Sequence, residues 1–316
     1  MKVAVLIPCY NEALTVERVV TAFRQSLPDA DIYVYDNNST DGTAALAKDA
    51  GAIVRPERQQ GKGYVVRTMF AEIDADAFLM VDGDDTYPAE AAPALVGPVL
   101  DGRADMVVGD RLSNGTYGAE NKRAFHNFGN NLVRGCINAL FHANITDVMS
   151  GYRAFSKRFV KNFPVMSGGF EIETELTLNA LDKRFALEQV EIDYRDRPEG
   201  SFSKLNTVKD GARVMKTLFT IFKDYRPFTF FSFLALLFFL LGLAAGIPVL
   251  VEFARTAFIK HVPLAILASA LEIMALLSFS CGMMLDTIVK ADKRNYELRL
   301  LQYRSEHETK RAEGVE

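Results

Sequence analysis

Short apolar runs alternate with longer amphipathic stretches through the first 110 residues. KVAVLIP at the start reads as a buried strand, and Glu12 to Ser26 as a helix. DIYVYD is a second strand, followed by a helix from Thr43 to Ala50. AIVRP is a third, followed by a helix from Lys62 to Ile73. DAFLMVD is a fourth, followed by a helix from Ala89 to Leu100, and ADMVVGD is a fifth. Strands that alternate with helices imply right-handed crossovers and a mostly parallel sheet covered on both faces, an α/β fold. Ligands of such sheets bind beyond the carboxyl ends of the strands.

The pattern changes near residue 227. Phe228 to Val251 contains no charged residue, and a second apolar stretch from Val262 to Leu285 is interrupted only by Glu272. About 20 apolar residues span a bilayer. The expected organisation is a domain over 1–205, a juxtamembrane segment over 206–227, spans over 228–251 and 262–285, and a basic tail over 286–316. Within the juxtamembrane segment, Val208, Ala212, Met215, Leu218, Phe219, Phe222 and Tyr225 recur at helical spacing, with Lys209, Arg213, Lys216 and Lys223 largely off that face. That pattern predicts a helix lying in the membrane interface. Lys and Arg crowd both flanks of the hairpin, whereas the loop between the spans has only Arg255 and Lys260. The positive-inside rule therefore puts the large domain and both termini in the cytoplasm, at the cytoplasmic (inner) membrane.

Composition narrows the class. The chain is 49% hydrophobic and 24% charged, which is globular, and its net charge of −4 argues against a nucleic-acid partner. Cys9, Cys136 and Cys281 are too far apart for a zinc site or a disulfide framework. The apolar part of MKVAVLIPCYNE is too short for a signal peptide.

Polar clusters follow four of the strands. They are PCYNE (Pro8–Glu12), DNNSTDGT (Asp36–Thr43), QGKG (Gln60–Gly63) and DGDDTYP (Asp82–Pro88). Each alone is ordinary turn and cap chemistry. Four on one sheet edge point to a site. Asp82 and Asp84 place two carboxylates on one turn, and Gly83 lets a backbone come close. Hard oxygen ligands suit Mg²⁺ or Mn²⁺ shared with substrate phosphates. Lys62 has no P-loop around it, but it opens a helix where a phosphate can approach. Glu171, Glu173 and Glu175 read equally as a solvated helix face or as site residues. Arg111 and Lys122 read as surface charges, and His126 and His142 as structural.

PCYNE, DNNSTDGT and DGD together resemble the signature of inverting family 2 glycosyltransferases with a GT-A fold. TDVMSGYRAFS, GGFEIETEL and RPEGSFSK, with the C-terminal hairpin, are similar to the polyprenyl-phosphate group, which includes dolichol-phosphate mannose synthases and undecaprenyl-phosphate glucosyltransferases. The resemblance implies a nucleotide pocket lined by Pro8, Tyr10, Asn11 and Glu12. It implies a base contact at Asp36, where Asn37 replaces a second Asp of many relatives, with Asp41 nearby. It makes Asp82 and Asp84 the metal motif. Asp147 falls near the acceptor or reacting centre, with Arg153 in the same segment. Arg197, Ser203 and Lys204 are expected at the pyrophosphate or lipid phosphate. The implied reaction moves one hexose from a nucleotide sugar to a polyprenyl phosphate with inversion, serving cell-envelope glycosylation. UDP-glucose is the leading donor, ahead of UDP-N-acetylglucosamine and GDP-mannose.

A processive polysaccharide synthase is disfavoured, because its Q-x-x-R-W motif is absent from a chain without tryptophan. A silent lipid-binding scaffold is disfavoured by the intact motifs. Glu272, ten residues inside the second span, calls for a contact between spans, expected within a homo-oligomer.

Overall fold

Strand β1 (Val3–Cys9) is apolar along nearly its whole length and mostly buried, as a central parallel strand must be. It is joined by β2 (Asp31–Asp36), β3 (Ile53–Pro56), β4 (Ala77–Met80), β5 (Met106–Asp110), β6 (Arg153–Ser156) and β7 (Leu187–Glu191) in one sheet of order β3-β2-β1-β4-β6-β5-β7. These coordinates are a computed structural model that describes residues 1–113, 124–195 and 219–312. The chain divides into two units, Met1–Gly211 and Ala212–Glu316.

Helices α1 (Val16–Ser26), α2 (Thr43–Asp49), α3 (Lys62–Glu72) and α4 (Ala92–Leu100) follow the first four strands, as the periodicity predicts. The first helix starts at Val16 rather than Glu12, and a turn of 3-10 helix over Ala89–Ala91 precedes the fourth. Val16, Val19, Val20 and Phe23 of α1 sit at three- and four-residue spacing and are all buried. They pack with Ile7, Val34, Leu79 and Leu95 into a core on one sheet face. Beyond β5 lie α5 (Ala124–Phe141), α6 (Lys157–Asn162) and α7 (Ile172–Asp182). On the other sheet face Phe70, Phe155, Phe159 and Phe163 form a chain of aromatic contacts.

One expectation of simple alternation fails. The fifth strand does not pair with the fourth: β6 runs between them, antiparallel to both, with Ala154 opposite Leu79 on one side and Val107 on the other. Its four residues begin with a charged Arg153, so it carries no apolar run of its own. The inversion has a functional consequence. A strand of opposite direction starts at the edge where its neighbours end, so the loop before β6 joins the carboxyl edge of the sheet. At that edge Cys9 lies beside Asp36, and Asp36 beside Pro56.

In the second unit, α8 (Pro227–Thr256) and α9 (Val262–Ala312) form an apolar hairpin, and both are long and apolar enough to cross a membrane. At 51 residues, α9 does not stop at Leu285 but runs on through the expected tail. Asp286 to Tyr303 contains no Gly or Pro to end it. Of the predicted interface helix, residues 219–225 are helical, and the rest lies outside the described residues. Glu272 packs against Gly242 of α8, where an added Cβ would come within 2.5 Å of Oε1. Inside the hairpin a small residue thus lets the Glu272 side chain pack closely against α8.

Candidate active site

The loops after β1 and β2 are fastened to each other. The Asn11 amide donates to Ser39 Oγ at 2.8 Å, and Asn11 Oδ1 accepts from the Thr40 amide at 2.8 Å. The Glu12 amide donates to Thr43 Oγ1 at 2.9 Å, and Asp41 accepts from the Ala13 amide at 3.0 Å and from the Thr43 hydroxyl at 2.5 Å. Burial works against ionisation of Asp41, but hydrogen bonds from Thr43 and Ala13 outweigh it and hold the carboxyl below its ordinary range. Asn11 and Asp41 therefore fasten the two loops to each other. Tyr10 is exposed, while Pro8 and Glu12 are half-buried beside it.

Asp36 ends β2 differently. Its Oδ2 accepts from the Ser39 amide, whereas Oδ1 is buried with no hydrogen-bond partner among the described residues. A buried acceptor without a donor is costly, and a ligand N–H or O–H relieves the cost. The neighbouring Asn37 is buried and faces away from such a role. Its amide donates to the Glu57 and Gln59 carbonyls at 3.0 and 2.7 Å, and its oxygen accepts from the Gly61 amide at 2.8 Å. An aspartate in its place has no N–H for those carbonyls.

The DGD turn leaves β4 at the same edge. Thr15 donates to the Gly83 carbonyl at 2.6 Å, and an added Cβ on Gly83 would meet Cys9 Sγ at 2.6 Å. Gly83 is there for backbone approach, though to the protein itself. Thr86 donates its hydroxyl to Asp84 Oδ1 at 2.7 Å. Lys62 donates to Asp82 Oδ1 and to Glu173 Oε1, and only 8% of its side chain is exposed. Burial pulls the Lys62 ammonium down, but Asp82 and Glu173 outweigh it and the lysine stays protonated. Among the described residues no group of three or more His, Cys, Asp or Glu is placed to hold a metal. Asp82 and Asp84 nonetheless fit a hard divalent cation whose remaining ligands are phosphate and water, the usual way Mg²⁺ is bound.

The fifth strand contributes what the sequence reading misses. Arg111, expected on the surface, is buried: its guanidinium donates to Asp147 at 2.7 and 3.0 Å and to the Tyr87 hydroxyl at 3.2 Å. It also lies 5.8 Å from the Tyr87 ring centroid and 5.6 Å from that of Tyr194. Burial raises the Asp147 carboxyl, but Arg111 overcomes this and holds it below the usual carboxylate range. The available signal was position, because Arg111 directly follows a strand that ends on the site's edge. Arg153 is corrected in the other sense. Expected to bind substrate, it is fully buried and donates to the Ser150 and Val148 carbonyls and to Thr177. Burial pushes its pKa down to about 10. It shapes the segment that carries Asp147.

The three glutamates separate. Glu171 is exposed, Glu175 accepts from the Met166 and Ser167 amides at 2.9 and 2.8 Å, and Glu173 is buried on Lys62. His142 is an exposed turn residue after α5 with φ of 52°. Lys122, the His126 side chain, Arg197, Ser203 and Lys204 lie outside the described residues.

With the edge assembled, the likenesses acquire meaning. Residues 4–163 match the family described as Glycosyl transferase family 2. The chain is a family 2 glycosyltransferase. Over 91% of its length this glycosyltransferase is 31% identical to glycosyltransferase AglJ of Haloferax volcanii, covering 93% of that protein. It is 26% identical to a dolichyl-phosphate hexose transferase of the same organism, over 71% of this chain and 95% of that one. Its fold is also that of Mycobacterium tuberculosis glucosyl-3-phosphoglycerate synthase, crystallised with Mn²⁺, uridine-diphosphate and phosphoglyceric acid. The TM-score is 0.56 at 23% identity, over 70% of this chain and 78% of that one. The glycosyltransferase thus has a GT-A fold and stands close to polyprenyl-phosphate hexose transferases.

Proposed function

We propose that this glycosyltransferase moves one hexose, with inversion, from a nucleotide sugar to a polyprenyl phosphate at the cytoplasmic face of a membrane. UDP-glucose is the first candidate donor and undecaprenyl phosphate the first candidate acceptor. One observation carries the reading: a chain that presents DGD and a donor-seeking Asp36 on one sheet edge also carries two helices apolar enough to cross a bilayer. The uridine-diphosphate and Mn²⁺ held by the mycobacterial structure, and the lipid-phosphate substrate in the name of the Haloferax hexose transferase, support it.

In this reading Asp36 Oδ1 accepts from the nucleotide. Asp82 and Asp84 hold Mg²⁺ or Mn²⁺, which when bound supplies charge neutralisation for the departing diphosphate. A phosphomonoester with a second pKa of about 6 is already largely anionic at neutral pH, so the acceptor needs positioning more than a base. Asp147, held by Arg111, accordingly serves to orient. Arg197, Ser203 and Lys204 are assigned to the lipid phosphate or the pyrophosphate on their sequence pattern.

The test uses the full chain in nanodiscs containing undecaprenyl phosphate, with UDP-glucose, UDP-N-acetylglucosamine and GDP-mannose supplied in turn. One donor is expected to yield a lipid-extractable hexose, lost with EDTA and in Asp84→Ala. Sugar transferred only to water-soluble phosphate sinks the lipid assignment. Near wild-type turnover in Asp84→Ala sinks the metal assignment.

A further inference from the structure

Lys62 stands in an unusual place for a cation. Gly61 and Gly63 on either side of it have their α-carbons so close to the Gly168 and Ser167 carbonyls that neither position has room for a Cβ. The QGKG loop is therefore docked on the segment that leads into α7. From this seat the Lys62 ammonium bridges Asp82 Oδ1 after β4 and Glu173 Oε1 in α7. Lys62 and Glu173 side chains are 8% and 7% exposed, and Asp82 is 29% exposed. The other Asp82 oxygen is confined, since a Cβ on Gly151 would lie 2.6 Å from it. One carboxylate of the metal motif is thus already engaged by a built-in monovalent cation.

Asp82 and Glu173 share the single ammonium of Lys62, so it offsets only part of the negative charge that Asp82 and Asp84 bring to the turn. Without Glu173, the ammonium would belong to Asp82 alone. A carboxylate shared with an ammonium is a poorer ligand for a dication, and the two cations also repel.

We propose that Lys62 and Glu173 are positioning residues that set metal loading of the DGD turn. Lys62 holds Asp82 and weakens its grip on a metal that arrives alone, and Glu173 draws the ammonium partly away so that Asp82 stays available. A diphosphate bound with its metal supplies further negative charge and overcomes the restraint. The metal is then taken up with the nucleotide rather than before it. This inference rests on the metal reading above.

Mn²⁺ is titrated into the nucleotide-free full chain in detergent, with bound and free ion separated by electron paramagnetic resonance. Lys62→Met is expected to tighten Mn²⁺ binding about tenfold, the scale of removing one charge roughly 5 Å from a dication in a watery site. Glu173→Gln is expected to weaken it several-fold, since a carboxamide does not share the ammonium's charge. Opposite signs from two halves of one ion pair distinguish positioning from a general structural role, which would weaken binding in both. The effect of Glu173→Gln should also be clearly smaller in a Lys62→Met background, where only its direct charge effect on the dication remains. If Lys62→Met alone does not fold, having stranded a buried carboxylate, the neutral pair Lys62→Met/Glu173→Gln carries the first arm and should still bind tighter than wild type. Unchanged or weaker binding in the lysine variants overturns the proposal, as does a glutamate effect that is undiminished without the lysine. Asp84→Asn separates the two levels: if wild-type Mn²⁺ binding survives it, the metal reading itself fails. If binding is lost there while the Lys62 variants are unchanged, only this inference fails.

Discussion

Replacing Arg111 by Met keeps the length of the side chain and removes its charge. Asp147, with 0% exposure, then loses both guanidinium bonds, at 2.7 and 3.0 Å, and keeps only backbone donors such as the Met149 amide at 3.1 Å. Breaking a buried ion pair from one side costs about 3–5 kcal/mol, because the remaining charge is uncompensated. Loss of the cation–π contacts with Tyr87 and Tyr194 works in the same direction. For a unit of this size each kcal/mol moves the midpoint by about 2–4 °C, so a fall of about 6–20 °C is expected at pH 7. The pH dependence has a definite sign. In the wild type the Asp147 pKa is depressed, so its contribution is present above the unfolded value of about 3.9 and is lost as pH falls through the folded value. In the variant, burial without the guanidinium raises the pKa, and protonation relieves the stranded charge on mild acidification. The gap between the two proteins should therefore narrow from pH 7 to pH 5. Arg111→Met/Asp147→Asn should recover more than half of the loss at pH 7. Thermal unfolding of the full chain in detergent, followed by near-ultraviolet circular dichroism of its tyrosines, measures all three. A gap below about 1 kcal/mol at pH 7, or one of equal size at both pH values, refutes the account of a buried pair.

Gly83→Ala should lose about 1–3 kcal/mol through overpacking, because the new methyl lies 2.6 Å from Cys9 Sγ. Adding Cys9→Ala should restore most of it, and chemical denaturation reads both. Asn37→Asp leaves the Glu57 and Gln59 carbonyls without their donor and should cost about 2–4 kcal/mol by the same measurement. Wild-type stability there would show that the clamp between these loops does not matter. Gly242→Val, which overlaps Glu272, should lower the melting temperature of the hairpin without changing the oligomeric state. An oligomer that dissociates in Glu272→Leu at unchanged stability would instead place the Glu272 contact between copies.

The first four strand–helix units, the two apolar helices and the sheet edge that carries the candidate site were all legible in the linear pattern. Each rests on local periodicity or on uninterrupted apolar length, which the backbone geometry of a strand, a helix or a bilayer span dictates directly. The family likeness was legible for a related reason, since PCYNE, DNNSTDGT and DGD are contiguous and each sits in one loop. What each motif residue does was less accessible. Asn11 and Asp41 look like ligand contacts in one dimension, and their hydrogen bonds show them holding the loops together, as Asn37 does beside Asp36. Arg111 looks like a surface charge until β6 enters the sheet in reverse and brings Asp147 beside it. The partners Lys62, Asp82 and Glu173 come from three separate elements, with the lysine and the glutamate 111 positions apart. No local propensity encodes such a meeting. Which charge finds which counter-charge depends on strand order and on the cost of burying a charge alone, and both are properties of the assembled chain.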